Sequence, residues 1–537
     1  MRSSTISLPP IVVNIEHIPV MNKPTTLGAL RASGYEVLAV KEELRRNLID
    51  RLRRRERLFP GVIGYDDTVI PQLVNAILAR HDVILLGLRG QAKTRIARLL
   101  IELLDEWVPI VKGSEINDNP YQPLSYHAVQ LVREMGDETP IEWLHRSDRY
   151  GEKLATPDVT IADMIGDIDP LKAAHQRLHY SHEGAIHFGI IPRTNRGIFT
   201  INELPDLQPR IQVGLFNLLE ERDIQIRGFN IRIPLDVMMV FTANPEDYTN
   251  RGNIITPLKD RIASQIMTHY PLSMETAIAI TEQEAWTARI GEEGIAVPRY
   301  FKEIIEQIAF EARKSEFIDQ KSGVSARLST SAMETLISNA ERRSIVTGDS
   351  IILPRITDLA FVTAGVTGKV ELVFEGEQEG MGKVARALVG KAVKEIFKKY
   401  FPDPLARDRS KPKQERYQQS QAIPKQESEY EPVLRWFAEG NIMSLTDTMK
   451  FDDYFKELSR VPKLRELTVR HMKIQEANRF ELASAMEFVL DGLHQHSKLA
   501  KEEEFGRPDV TYRDMIGSIF TRPKSDPDED DDEPLRF

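Results

Sequence analysis

Apolar positions in this chain form two kinds of run: short continuous ones in the N-terminal half, and helically spaced ones towards the C-terminus. Val83-Ile-Leu-Leu86, the stretch 197–201 and the stretch 237–243 are dense in β-branched and large apolar residues, and each gives way to glycine or an amide. That is the pattern of buried strands. Beyond Pro271, apolar residues recur at three and four over 274–290, 298–315 and 330–346, and 354–369 adds a fourth helix. Helical spacing is also present over 26–57 and 382–400, the latter with Lys391, Lys394, Lys398 and Lys399 on one side as a solvated face.

Segments without periodicity divide these blocks. The prolines of 1–27 predict an extended arm. Pro, Gln, Lys, Glu and Ser over 402–430 predict a flexible linker, and 506–537 ends in an acidic run too charged to collapse. The expected organisation is an N-terminal arm and helix at 1–57, an α/β domain at 58–273, a helical lid at 274–370 and a helix at 371–401. After the linker comes a C-terminal helical domain at 431–505, with Phe437, Tyr454, Leu458, Leu482 and Phe488 among its core candidates, and then the tail.

The junction after the first strand carries the most specific chemistry. Gly87, Leu88, Arg89, Gly90, Gln91, Ala92, Lys93 and Thr94 read as a glycine turn whose Lys-Thr pair opens a helix. Glycines let backbone N–H groups approach phosphate oxygens, the lysine neutralises β/γ charge, and the threonine hydroxyl can ligate Mg²⁺. The second run ends in Asn202 and Glu203, where a carboxylate can activate water beside a γ-phosphate. Asn202 would equally suit a helix N-cap. The third run ends in Asn244, placed to hold a lytic water, although Asn-Pro also suits a plain turn.

In order and spacing these segments resemble the AAA+ ATPases of the MoxR and magnesium-chelatase motor group. Gly-x-x-Gly-x-Ala-Lys-Thr is similar to the MoxR form of the phosphate loop, and Asn195-Arg-Gly-Ile-Phe-Thr-Ile-Asn-Glu-Leu resembles the metal-site segment of chelatase motors. Pro209-Arg-Ile-Gln212 with Leu218-Leu-Glu-Glu-Arg222 resembles the helix that follows it, and Ile63-Gly64 the segment that lies near the adenine. By the same resemblance Asn244 is sensor 1, Arg261 in Pro257-Leu-Lys-Asp260-Arg261 the arginine finger, and Arg327 in Gly323-Val-Ser-Ala-Arg327-Leu-Ser329 sensor 2. The likeness covers residues 58–370 and implies a P-loop α/β domain with a parallel sheet, an all-α lid, and ATP with Mg²⁺ held by Thr94 and Asn202. It also implies a homo-oligomeric ring, a hexamer, that remodels or loads metal or cofactor into a client beside a separate partner carrying a von Willebrand factor A domain.

This chain departs from the family's Asp-Glu by having Asn202 before Glu203. An amide can bond a Mg²⁺-bound water, but it takes a full charge from the metal's outer shell, so the implied activity is a weak ATPase. A nucleotide-binding scaffold with little hydrolysis, a magnesium-chelatase-type motor and a DNA-directed motor are the alternatives. Arg261 could instead pair with Asp260 or another surface carboxylate, and Arg327 could be a capping or surface arginine.

Composition narrows the rest. The 537 residues suffice for three or four domains, and 41% hydrophobic with 28% charged residues is the balance of a globular protein. A net charge of −10 argues against a dedicated nucleic-acid binder. With no cysteine, disulfides, thiolate metal sites and cysteine nucleophiles are excluded. No apolar run approaches bilayer length and the N-terminus lacks a signal-like apolar core, so the expected location is cytoplasmic. The region 112–192 is longer than a crossover needs and reads as insert-bearing. Its His175, His179, His182 and His187 lack an adjoining carboxylate motif and read as polar surface or turn histidines rather than a metal site.

Overall fold

A computed structural model describes residues 23–175, 182–226, 232–245, 253–288, 295, 297–405, 428–503 and 509–515. The chain divides into two compact units, Met1–Gly87 with Ala92–Thr268 and Leu88–Gln91 with His269–Phe537.

The first unit is built on five parallel strands: β1 Val83–Leu86, β2 Tyr150–Leu154, β3 Gly197–Asn202, β4 Val237–Ala243 and β5 Ser264–Met267. Their spatial order is β5-β1-β4-β3-β2. Every residue of β1, β3 and β4 is buried, as in a sheet covered on both faces, which is why these strands read as unbroken apolar runs. The edge strands differ: β2, Tyr-Gly-Glu-Lys-Leu, and β5, Ser-Gln-Ile-Met, are partly exposed and tolerate polar residues that hide them from pattern reading. The chain leaves β1 for the far edge and returns, so β1 is flanked by the two strands that come last. Such a switch point opens a crevice at the carboxyl ends of the strands.

Helices Leu27–Ala32 and Val40–Arg53 precede the sheet. Glu43 of the second meets Arg149, just before β2, in a fully buried bidentate pair at 2.7 and 2.6 Å. Trp107–Val111, just before the insert-bearing region, pairs antiparallel with Ile141–His145 inside it, and Gly166–Ile168 pairs with Ile186–Phe188.

The second unit contains the helices Met274–Glu284, Arg299–Ala312, Arg327–Thr347 and Leu359–Thr367 where the apolar spacing placed four. Met381–Tyr400 follows, and one apolar cluster runs from Phe301 and Leu336 through Leu388 and Phe397 to Phe437, Tyr454, Leu458, Leu482 and Phe488. Lid, helix and C-terminal segments, separated in the sequence at 370, 401 and 430, therefore share a core. Helix Arg479–Gln495 is buried on all sides from Leu482 to Leu493. Its Glu487 accepts from Ile356 N at 3.0 Å, Thr357 N at 3.1 Å and the Tyr454 hydroxyl at 2.5 Å.

A small antiparallel sheet of Met443–Leu445, Val510–Asp514 and Leu499–Glu503 joins this helical region. The acidic tail is thus corrected: within 506–537, Val510–Asp514 is a strand, because Val510 and Tyr512 alternate with polar neighbours and turn their side chains into the core. Most of the arm at 1–27, most of the linker and the acidic run itself lie outside the described residues. Among the described residues, no helix is long and apolar enough to cross a membrane.

Candidate nucleotide-binding site

The carboxyl ends of β1, β3 and β4 carry the residues singled out from the sequence. β1 passes into the glycine turn at Gly87, whose N–H donates to Ala243 O at the end of β4 over 3.1 Å. Ala92 is left-handed, φ 57° and ψ 16°. That conformation costs an L-residue about 1–2 kcal/mol, so alanine here preserves the turn a glycine would make. Lys93 is buried, and its ammonium donates back to Gly87 O across the turn. Thr94 follows in the helix Lys93–Leu99, with its Oγ1 3.5 Å from Asn202 Oδ1 on β3.

Leu88–Gln91, the apex of the turn, groups with the second unit. There Gly90 has φ +78°, and a Cβ on it would stand 2.7 Å from Ser325 Oγ and 2.8 Å from Ala326 N, so no side chain fits. Arg89 donates to Glu371 at 3.0 Å, and its carbonyl accepts from the Tyr270 hydroxyl at 3.3 Å. Arg327 opens the helix that follows Ser325 and Ala326, and its side chain is exposed.

Asn202 is buried at the tip of β3 and fully engaged. Its Oδ1 accepts from Thr242 Oγ1 of β4 at 3.0 Å, and its Nδ2 donates to Glu152 Oε1 of β2 at 2.6 Å. It is therefore the end of a strand and not a helix cap. The next residue, Glu203, leaves the strand in a left-handed conformation, φ 54° and ψ 50°, with its N–H on Thr242 Oγ1 at 3.2 Å. Strain of this kind, about 1–3 kcal/mol, persists where the surroundings dictate it and gathers at functional sites. Asn244 is 4% exposed and its Oδ1 has no donor among the described residues. An orphaned buried acceptor costs about 1–3 kcal/mol and is suited to a water or ligand N–H.

Other predicted residues have partners of their own. Arg261, ending the helix Thr256–Arg261, donates to Glu220 Oε2 through Nε at 2.8 Å and Nη2 at 2.6 Å and lies over the Phe216 ring. The surface-carboxylate pairing is present, with Glu220 in place of Asp260. Ile63 and Gly64 lie in the segment leading to the sheet, which Arg95 ties to the phosphate-loop helix by donating to Gly61 O at 3.3 Å. His182 Nδ1 accepts from Gly184 N at 3.0 Å as a turn cap, and His187 Nε2 lies 3.3 Å from Arg193. His179 and the His175 side chain lie outside the described residues.

Sequence reasoning missed Thr242, Glu152 and Arg98. Thr242 could have been found, two residues before Asn244 and on the same face of β4. Glu152 gives no such signal, since only the register Leu154↔Asn202 brings it alongside. Burial alone would lift the Glu152 carboxyl, but hydrogen bonds from Arg98 at 2.8 and 3.1 Å, with Tyr150 and Asn202, hold it below the usual carboxylate range.

These donors suit a magnesium nucleotide: a lysine, a threonine hydroxyl and an amide oxygen at the mouth of a glycine turn, with an orphaned acceptor on the adjacent strand.

No family model and no curated protein matches the chain. Solved structures similar to it include AAA+ ATPases. NtrX from Brucella abortus is 14% identical with a TM-score of 0.31, and the match covers 57% of this chain and 57% of NtrX. The complex of magnesium chelatase subunits BchI and BchD is 18% identical with a TM-score of 0.30, covering 60% of this chain and 98% of that one. Hsp104 with ATPγS and FITC casein is 14% identical with a TM-score of 0.35, covering 59% of this chain and 51% of that one. Likeness at this level adds nothing to what the sheet, the glycine turn and the strand ends carry by themselves.

Proposed function

We propose that the chain is a MoxR-like AAA+ ATPase that binds ATP with Mg²⁺ at the carboxyl ends of β1, β3 and β4 and hydrolyses it. The observation that supports this best is the approach of Thr94 Oγ1 to Asn202 Oδ1 at the end of β3, with Glu203 directly after that strand and the unpartnered Oδ1 of Asn244 directly after the adjacent β4. Lys93 leaves Gly87 O to neutralise the β- and γ-phosphates, while loop N–H groups cradle them. Thr94 Oγ1 and Asn202 Oδ1 are the groups that would hold Mg²⁺, which when bound would supply charge neutralisation for the transferred phosphoryl group. Glu203 takes the proton of the attacking water, and Asn244 fixes that water through Oδ1. Gly64 and Ile63 border the base, and Arg327 is the sensor 2 candidate by resemblance.

In this reading subunits form a ring, in which Arg261 leaves Glu220 to act on nucleotide held by a neighbour. The motion is delivered to a client that is remodelled or loaded with metal or cofactor, beside a partner with a von Willebrand factor A domain. Asn202 favours one second reading, an assembly scaffold that binds ATP with little turnover.

ATP binding with Mg²⁺, measured by calorimetry on wild type and Lys93→Ala, tests the site. Wild type is expected to bind at micromolar level and the variant at least tenfold more weakly; equal affinities would remove the phosphate loop from the account.

A further inference from the structure

The missing charge at position 202 has a neighbour able to supply it. Glu152 on β2 and Asn202 on β3 project from the same face of adjacent strands, offset by two residues in the register Leu154↔Asn202. Glu152 Oε1 accepts from Asn202 Nδ2 at 2.6 Å, which commits the nitrogen side of the amide to β2. The oxygen side is thereby turned to Thr242 Oγ1 at 3.0 Å and Thr94 Oγ1 at 3.5 Å. Arg98, five residues after Lys93 in the last turn of the helix Lys93–Leu99, clamps both oxygens of Glu152. A continuous path of polar contacts therefore runs from Arg98 through Glu152 and Asn202 to Thr94.

Resting on the ATPase reading above, we propose that Glu152 is a positioning residue for Mg²⁺: it carries the carboxylate charge that Asn202 lacks and orients the Asn202 amide so that its oxygen faces the metal side. The charge ordinarily placed at the end of β3 stands one strand over. An aspartate at 202 beside an intact Glu152 would put two carboxylates at hydrogen-bonding distance with no proton between them, which repels. Asn202 and Glu152 thus belong together, and exchanging the amide and the acid between the two positions should conserve the site.

The test is the Mg²⁺ dependence of binding of a fluorescent ATP analogue to the full chain, with affinity in EDTA as the measure of an intact loop. Glu152→Gln is expected to keep the metal-free affinity while raising the Mg²⁺ needed for half-maximal tightening about tenfold, the effect of losing an outer-shell partner. Adding Asn202→Asp to Glu152→Gln should return that midpoint to within about threefold of wild type, whereas Asn202→Asp alone should not improve on wild type. A wild-type midpoint in Glu152→Gln, or additive effects of the two substitutions, would overturn the proposal and leave the ATP site standing. Loss of metal-free affinity in Glu152→Gln would make the residue merely structural and overturn it too. A wild-type chain that binds no analogue would remove the ATPase reading and this one with it.

Discussion

Ala92 and Glu203 both hold left-handed backbone without being glycine, and they stand at the two ends of the chemistry: one where the phosphate loop enters its helix, one where β3 ends. Each was legible as a residue of interest because its partners are close in sequence, Lys93 and Thr94 for the first, Asn202 for the second. The engagement of Asn202 by Glu152 was not legible, since it depends on strand register rather than on local pattern. At this scale the proposed roles of general base and metal ligand can be tested apart. Glu203→Gln keeps the size of the side chain and removes its basicity, so ATP affinity should stay within about threefold while phosphate release falls about 10²-fold or more. Release unaffected by the substitution would take the base role from Glu203.

Among elements, the central strands and the helices of the second unit were readable because burial on both faces or at helical spacing writes itself into the sequence. The edge strands β2 and β5 and the short C-terminal sheet were not, being half-exposed or only three to five residues long. One helix contact carries a pH signature. Glu303, on Arg299–Ala312, is pulled up by burial, yet Lys399 at 3.0 Å, Tyr400 at 2.8 Å and Arg299 at 2.9 Å hold it below the ordinary carboxylate range. A carboxylate lowered in the fold contributes stability that is complete above its unfolded value, about 4.3, and is lost as pH falls through the folded value. Thermal unfolding of Glu303→Gln should accordingly show a deficit of about 1–2 kcal/mol near pH 7 that shrinks as the pH falls below the ordinary glutamate range. An unchanged deficit at pH 3 would mean that shape, and not charge, matters there.

For the whole molecule, the claim is that the strand ends form an ATP-hydrolysing site completed by a neighbouring subunit. Arg261, with 27% of its side chain exposed and its guanidinium on the more exposed Glu220, is held by a pair that water screens and a competing phosphate can replace. A finger supplied between subunits makes activity depend on assembly, so turnover per chain should rise with concentration and level off once rings are complete. The measurement that addresses this most directly is phosphate release from ATP with Mg²⁺ across a hundredfold range of protein concentration, for wild type and Arg261→Ala. Release that climbs faster than linearly in wild type and stays near background in the variant at every concentration is the expected result. Release strictly proportional to protein concentration and equal in Arg261→Ala, or no release at any concentration, would contradict the account.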